Sequence, residues 1–454
     1  MSEDIIEGAL TECRICKSKA LIDTLTLGYQ IITSRFPMMG DFSTPSTPIV
    51  LVMCSSCALV QLKHTTPSSD MYEGFYGYRS GINATMRDHL KSYNRDLQEL
   101  VDLKVGDSVL DIGSNDCTFL SNYVAGVQRF GCDPTGTQFA EFYKTNSVTL
   151  VPTYFTKENL QKALGTSLRF KAVSSIAMFY DLPDPVQFAK DIYDVLDDEG
   201  IWTLEQSYVA TMLERNSIDT ICHEHLEYYG VKQIKTIMDL AGFKIVGLSL
   251  NECNGGSFRT YVAKASSKHV EAEVVNEFLQ KEENSKIHTG RRYTEFMLTC
   301  YSEVRKLTDF LKMVKADGKK VYIYGASTKG NCLLQYANIG PDLAQYAVER
   351  NPLKVGRMTS TGVEIISEET MRASPPAYML VLPWHFRTEM IEREKVFLEN
   401  GGQLIFPFPT FEVYSSKPKT LVTGVDGQIG TYVADTLTDT DVIYGLVSKK
   451  KTLP

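Results

Sequence analysis

From Ser108 onward the chain repeats one pattern, and that pattern confines the fold more than any other feature. Short apolar runs, several ending in glycine or aspartate, alternate with stretches of helical periodicity. SVLDIG at 108–113, RFGCDP at 129–134, TLVPTYF at 149–155, KAVSSIAMF at 171–179 and GIWTLEQSY at 200–208 read as strands. Residues 83–101, the segment from Asp116, the segment after Gly136, Phe188 to Val195 and residues 231–242 read as helices. Strands alternating with helices form a parallel sheet covered on both faces. FKIVGLSL and SFRTYVAKA then read as two strands that finish the sheet antiparallel.

A chain of 454 residues is too long for one core, and its length suggests about three domains. The expected division is 1–70, 71–268, 269–415 and a tail, 416–454. A charged stretch at 269–317 predicts a solvated helix or helix pair. The third domain opens with KVYIYGASTKGN at 320–331 and continues through QYAVER, AYMLVLPW and GQLIFPF, a second, Rossmann-like α/β unit. Residues 71–81 form an aromatic segment containing Tyr72, Phe75, Tyr76 and Tyr78.

Composition excludes several classes. Hydrophobic residues make up 43% and charged residues 22%, the balance of an ordinary globular chain. A net charge of −8 argues against general attraction to nucleic acid or anionic lipid. No apolar run is long enough to span a bilayer. MSEDIIEGAL lacks the pattern of a secretory signal, so a cytoplasmic location is expected. Ten cysteines in a chain this long fit a reducing compartment better than a disulfide scaffold.

Four of those cysteines are paired. Cys13 with Cys16 and Cys54 with Cys57 are two CxxC motifs separated by a loop-rich stretch containing Pro37, Pro45 and Pro48. Two thiolate pairs match tetrahedral zinc, each pair folding into a tight knuckle. Four thiolates leave no open position, so the metal is structural. Two redox pairs are the alternative.

Two strand-to-helix turns carry candidate binding residues. After SVLDI comes Gly113 and a polar SND, and Asp133 ends the next strand. The dinucleotide fingerprint GxGxxG is absent. Acidic residues on two consecutive strands suit S-adenosylmethionine, whose sulfonium and amino groups are positive. The expected cofactor contacts are Asp111, Gly113, Asn115, Asp116, Asp133, Pro134 and Phe179, with the Asp133 carboxylate on the ribose hydroxyls. The second turn, GASTKGN at 325–331, offers two glycines, hydroxyls and Lys329 to a diphosphate. An ordinary αβ turn is the plainer reading of each.

DTICHEHLEYYG at 219–230 holds the strongest acid–base signal. Two imidazoles flank a carboxylate at His223, Glu224 and His225, in a chain with only seven histidines. Histidine titrates near neutral pH and is the usual general base. Buried histidines with satisfied hydrogen bonds are the plain alternative.

Taken together, these motifs resemble the sugar C-methyltransferases that build branched-chain deoxysugars from nucleotide-linked 4-keto sugars. The resemblance covers roughly residues 10–415: the zinc-binding cysteines, a class I methyltransferase domain with DIGSND and HEHLEYY, and a C-terminal α/β domain with YGASTKGN and ERNPLKVG. It implies His225 as general base, with Glu224 and His223 beside it and Tyr78 near the substrate. It implies a GDP- or dTDP-linked sugar as partner, held by Tyr228, Ser327, Lys329, Asn331, Glu349 and His385, on a monomer or weak homodimer. Cys117 stands where the family often has glycine, and Cys222 where some members have tyrosine. The tail, KTLVTGVDGQIG, is similar to the opening of GDP-mannose 4,6-dehydratase, which implies a fused second enzyme cut short. Rival readings are sugar O-methylation, a non-catalytic binding subunit and a nucleic-acid methyltransferase.

Overall fold

The computed structural model describes residues 8–41, 45–67, 71, 78–437 and 442–446. Tyr72, Phe75 and Tyr76, and the ends of the expected first and last domains, lie outside the described residues. The N-terminal part is a sheet, not the loop-rich stretch its prolines suggest. β1 (Leu21–Ile31) and β2 (Ser46–Cys54) pair antiparallel across the prolines, and β3 (Val60–Leu62) adds to β2. Pro45 and Pro48 sit at the start of β2, where a missing N–H is tolerated.

The middle sheet has seven strands. β4 (Ser108–Ile112), β5 (Gln128–Cys132), β6 (Thr149–Val151), β7 (Phe170–Ile176) and β8 (Leu196–Ser207) are mutually parallel. After β9 (Glu227–Tyr228), β10 (Phe243–Asn251) and β11 (Ser257–Lys264) close the sheet antiparallel, as their patterns predict. The order β10-β11-β8-β7-β4-β5-β6 places β4 between β5 and β7, where the connections part to opposite sides. Ligands of such sheets bind there, beyond the carboxyl ends of the strands.

Helix α1 (Ala84–Val101) lies on the face of β8 that carries Thr203 and Glu205. Beyond it come α2 (Ala140–Thr145), α3 (Lys157–Leu164), α4 (Pro185–Val195) and α5 (Val231–Ala241). α3, capped by Thr156, separates β6 from β7, two strands that read in the sequence as neighbours. The helix expected from Asp116 does not form. Asn115 and Cys117 adopt left-handed φ of 47° and 54°, and only a short 3₁₀ turn, Leu120–Asn122, follows. Two left-handed residues so close together cannot nucleate a right-handed helix.

β9 does not join the middle sheet. It pairs antiparallel with β3, Val60 opposite Tyr228 and Gln61 opposite Glu227. The catalytic-looking segment is therefore the fourth strand of the N-terminal sheet.

The charged stretch is a helix pair, α6 (Val274–Asn284) and α7 (Gly290–Ala316), burying Phe278, Tyr293, Phe296, Leu307 and Leu311. The third sheet runs β14 (Ile365–Ser367), β13 (Tyr346–Glu349), β12 (Val321–Tyr324), β15 (Tyr378–Val381), β16 (Gln403–Phe406), β17 (Glu412–Tyr414), parallel except for the last pair. Helix α8 (Thr328–Tyr336) follows β12, its N-terminus capped by Ser327 Oγ on Gly330 N–H. The tail is a parallel pair, β18 (Lys419–Thr423) and β19 (Val442–Leu446), joined across α9 (Gln428–Leu437). No helix among the described residues is long and apolar enough to cross a membrane.

Candidate active site

The four paired cysteines converge. Cys13 Sγ lies 3.5 Å from Cys57 Sγ, Cys16 Sγ lies 3.5 Å from Cys54 Sγ, and all four sulfurs fall within 4.8 Å of one another. Zinc at about 2.3 Å from each of four sulfurs sets them roughly 3.8 Å apart, so the cradle fits the ion. The two knuckles are alike. Each turns on a left-handed residue after its CxxC, Lys17 or Ala58, whose N–H returns to the first cysteine's carbonyl. The cradle is tied to the HEH segment. Buried Arg14 donates to Gln61 and Leu62 and faces Glu227 at 3.5 Å, and Gln233 Nε2 donates to the Cys57 carbonyl.

Within that segment the two histidines differ. His225 Nδ1–H donates to the Thr220 carbonyl at 2.7 Å, which leaves Nε2 with its lone pair. Burial and the Lys329 charge push His225 down to about 3, so the ring is neutral. It packs against the Tyr180 ring, 4.2 Å between centroids and inclined at 54°. His223 is buried deeper against the N-terminal sheet, its Nδ1 3.3 Å from Thr33 Oγ1, and burial pushes it down to about 4. Glu224 accepts from Thr33 Oγ1 at 3.1 Å, and burial raises its carboxyl. The N-terminal lobe thus forms a wall of the site.

The cofactor turn is tightly built. Gly113, at φ 73°, returns its N–H to the Cys132 carbonyl, and a Cβ there would lie 3.1 Å from Met178 Cγ. Asp133 Oδ2 accepts from Asn115 N–H at 2.7 Å, and Oδ1 accepts from the Thr135 N–H and hydroxyl. Three donors fix this carboxylate, and its remaining lone pairs suit ribose hydroxyls. Pro134 lies in that turn. Asp111 is buried under Ser174 Oγ at 2.6 Å, and burial raises its carboxyl to about 7. Asp116 and Asn115 hold the preceding loop: Asp116 Oδ2 accepts from Arg79 Nε and Gly81 N–H, and Asn115 Oδ1 from Ser80 N–H. Tyr78, in the same loop, is 48% exposed overall. Its hydroxyl end lies near Ser80, Cys253 and Asp116, and desolvation pushes the phenol up to about 12.

The expectation for Phe179 does not hold. Its turn rotates it inward, where it is fully buried among Phe188, Trp202 and Tyr229. Tyr228 is likewise a core residue, its hydroxyl without a hydrogen-bond partner, near Cys222 and Cys332.

The third domain brings Lys329 to the same place. Its ammonium donates to the Asn254 carbonyl at 2.9 Å, and its charge acts on His225, Asp219 and His385. His385 packs beside Gly255 and is pushed down to about 3 by burial and Lys329. Glu349 is spent on the N–H groups of Ala326, Arg350 and Asn351. Asn331 is a correction. Its Nδ2 donates across the lobes to the Thr33 carbonyl, and its Oδ1 accepts from the Ser360 N–H of its own domain, with 1% exposure left for a substrate. Asp219 and Tyr180 were not anticipated. Trp384 Nε1 donates to Asp219 Oδ2 at 2.9 Å, while Oδ1 has no partner. Asp219 heads the HEH segment, but its role depends on a tryptophan distant in sequence.

Three family models match the chain in order. Residues 13–72 match a zinc binding domain, 85–248 a methyltransferase domain and 252–409 a C-methyltransferase C-terminal domain. The C-methyltransferase NovU of Streptomyces niveus is 28% identical over 91% of this chain and 99% of its own. An S-adenosylmethionine-dependent methyltransferase from Clostridium acetobutylicum superposes with a TM-score of 0.33 at 9% identity, over 39% of this chain and 92% of its own. The N-methyltransferase NodS from Bradyrhizobium japonicum superposes with a TM-score of 0.31 at 11% identity, over 40% and 98%.

Proposed function

The chain belongs to the S-adenosylmethionine-dependent C-methyltransferases built from these three domains, and we propose that it methylates C3 of a nucleotide-linked 4-keto-6-deoxyhexose. Cys13, Cys16, Cys54 and Cys57 would hold zinc, which would supply only structure. Gly113, Asn115 and Asp133 would hold S-adenosylmethionine, which when bound would supply the electrophilic methyl group.

The carrying observation is the His225 tautomer. With Nδ1–H fixed on Thr220, Nε2 is the basic atom. A C3 hydrogen beside a ketone is acidic because the carbanion delocalises onto the C4 oxygen. His225 Nε2 takes that proton. The Lys329 ammonium, within influence of the same ring, stabilises the enolate oxygen. Burial and Lys329 keep His225 unprotonated at working pH but also weaken it as a base, so the transfer leans on the cation that favours the developing anion. Tyr78 closes the acceptor side, and Ser327, Glu349 and His385 shape the third-domain wall. Division at 1–70, 71–268 and 269–415 assigns metal, cofactor and acceptor to successive lobes. The ten unpaired cysteines suit a reducing compartment, here the cytoplasm.

Supplying GDP- and dTDP-linked 4-keto-6-deoxyhexoses with labelled methyl donor, and weighing the products, tests the reading. We expect one methyl group on the sugar carbon skeleton, with GDP the better carrier. His225→Ala should abolish transfer and leave S-adenosylmethionine binding intact. Transfer at the wild-type rate in that variant, or no carbon methylation of either sugar, overturns it.

A further inference from the structure

Between β10 and β11 the chain makes a turn that the mechanism above leaves unused. Asn254, Gly255 and Gly256 are consecutive left-handed residues, at φ 53°, 90° and 119°. A Cβ on Gly256 would fall 2.2 Å from Thr211 Cγ2. A run of this kind persists only where its surroundings determine it. Here the surroundings are polar. Asn251 Oδ1 accepts from Cys253 N–H at 2.9 Å, and Ser257 Oγ donates to the Cys253 carbonyl at 2.9 Å. Arg215 pairs with Glu252 and donates to the Gly255 carbonyl.

Behind Asn251 stands Glu205 on β8, 2% exposed. Its Oε2 accepts from Asn251 Nδ2 at 2.8 Å and from Arg259 Nε at 2.9 Å, and its Oε1 meets His89 Nε2 at 2.5 Å. Arg259 also reaches Asp96 and lies over the Tyr93 ring. Burial works against a charge on His89, but the hydrogen bonds to Cys253 and Glu205 outweigh it and push the imidazole up to about 10. Glu205 and Asp96 thus balance His89 and Arg259 beside the turn, and Glu252 balances Arg215 on it. The product of the turn is the Asn254 carbonyl, which takes the Lys329 ammonium.

We propose that Glu205 is a positioning residue for methyl transfer: by holding Asn251 and His89 it sets the turn whose Asn254 carbonyl aims Lys329 at the site beside His225. The inference rests on His225 being the base and goes beyond it, because Glu205 lies on the methyltransferase sheet and acts through a third-domain lysine. The groups facing the His225 ring are Tyr180 from the turn after β7 and Lys329 from α8, with Asp219 and His385 reached through Lys329.

Glu205→Gln keeps the shape but offers one acceptor oxygen where Asn251, Arg259 and His89 converge on two. Asn254→Val strains the turn without touching Glu205, and Asn254→Gly tolerates a left-handed backbone. In both Glu205→Gln and Asn254→Val, Lys329 loses its anchor. Turnover should fall on the order of ten- to hundredfold, with S-adenosylmethionine affinity kept. The acid limb of the pH–rate profile should move to higher pH in both, and Asn254→Gly should retain more turnover than Asn254→Val. Histidine-labelled full-length protein gives a readout without substrate: His225 should titrate at higher pH in both variants than in wild type. A wild-type chain that fails to methylate the sugar nucleotide counts against the base assignment, while the His225 titration still decides the positioning claim. An unmoved His225 titration in either folded variant overturns it. So does a second equivalent of zinc bound by wild type and lost in His89→Ala, since the ligating atoms of His89, Glu205 and Cys253 lie within 4.8 Å of one another.

Discussion

The middle and third domains begin with the same turn and put it to different uses. In each, the first strand ends in a left-handed glycine whose N–H returns to the second strand, Gly113 to Cys132 and Gly325 to Val348. In each, an acid at the end of the second strand caps the first turn, Asp133 on Asn115 N–H and Glu349 on Ala326 N–H. Then they diverge. After Gly113 the chain takes two left-handed residues, and the loop at 78–81 is bonded down onto Asn115 and Asp116. After Gly325 it enters a capped helix that carries Lys329 outward to the middle domain. One turn is covered by its own polypeptide, which suits a cofactor. The other delivers a charge across a domain boundary, which suits catalysis on an acceptor.

The largest effect should come from removing the zinc, which would hold the lobe that carries the HEH segment between the two turns' domains. The N-terminal sheet carries β9, so chelating the zinc should unfold that lobe and with it the HEH segment. Structural zinc contributes on the order of 10 kcal/mol in small modules. Turnover should vanish and the melting transition drop or split, and an unchanged melt on chelation would separate the metal from the site.

Next come the glycines. Gly113→Val meets Met178 and Gly325→Val meets Pro383, and each forces a left-handed backbone on a β-branched residue, at about 1–3 kcal/mol of strain. Gly113→Val should abolish S-adenosylmethionine binding by calorimetry, whereas Gly325→Val should keep it and lose turnover. If both variants lose cofactor binding, the division of labour fails.

Milder substitutions sharpen the division. Asp133→Asn should weaken S-adenosylmethionine about tenfold through one lost charge-assisted bond, with His225 titrating as in wild type. Lys329→Met should do the reverse. Cofactor affinity should hold, turnover should fall on the order of a hundredfold, and His225 should titrate nearer its ordinary value, since the lysine charge holds it down.

A separate effect, read as a slope and not as a loss of binding or turnover, is on stability against pH. His223, His225 and His385 are all lowered on folding, so the unfolded chain binds more protons below about 6.5. Their contribution is intact above that pH and is lost as pH falls toward the folded values. Each group should steepen the loss by roughly 1.4 kcal/mol per pH unit below about 6. Denaturant titrations at pH 7 and 5 check the slope, which His385→Phe should reduce.

The features legible in the sequence were local ones. Two CxxC pairs, strand-and-helix alternation, Asp133 at a strand end and HEH beside tyrosines each speak through spacing of a few residues. What stayed hidden depends on partners distant in the chain. Nothing in LEYY says that β9 leaves its own domain to pair with β3. Phe179 follows a strand as a cofactor contact would, and only its ring neighbours show that it turns inward. Asn331 looks like a ligand-facing amide, yet it joins two lobes. The helix expected after Asp116 was lost to left-handed Asn115 and Cys117, the first of them held by the Asp133 cap and the overlying loop.

The central claim is that His225 Nε2 removes a carbon-bound proton at a site assembled from three lobes. Incubating the 4-keto-6-deoxyhexose nucleotide with the chain in heavy water, and following C3 by NMR, tests it without the methyl step. Wild type should wash deuterium into C3, and His225→Ala should not, although it binds S-adenosylmethionine as tightly. Equal exchange by the two proteins would contradict the account.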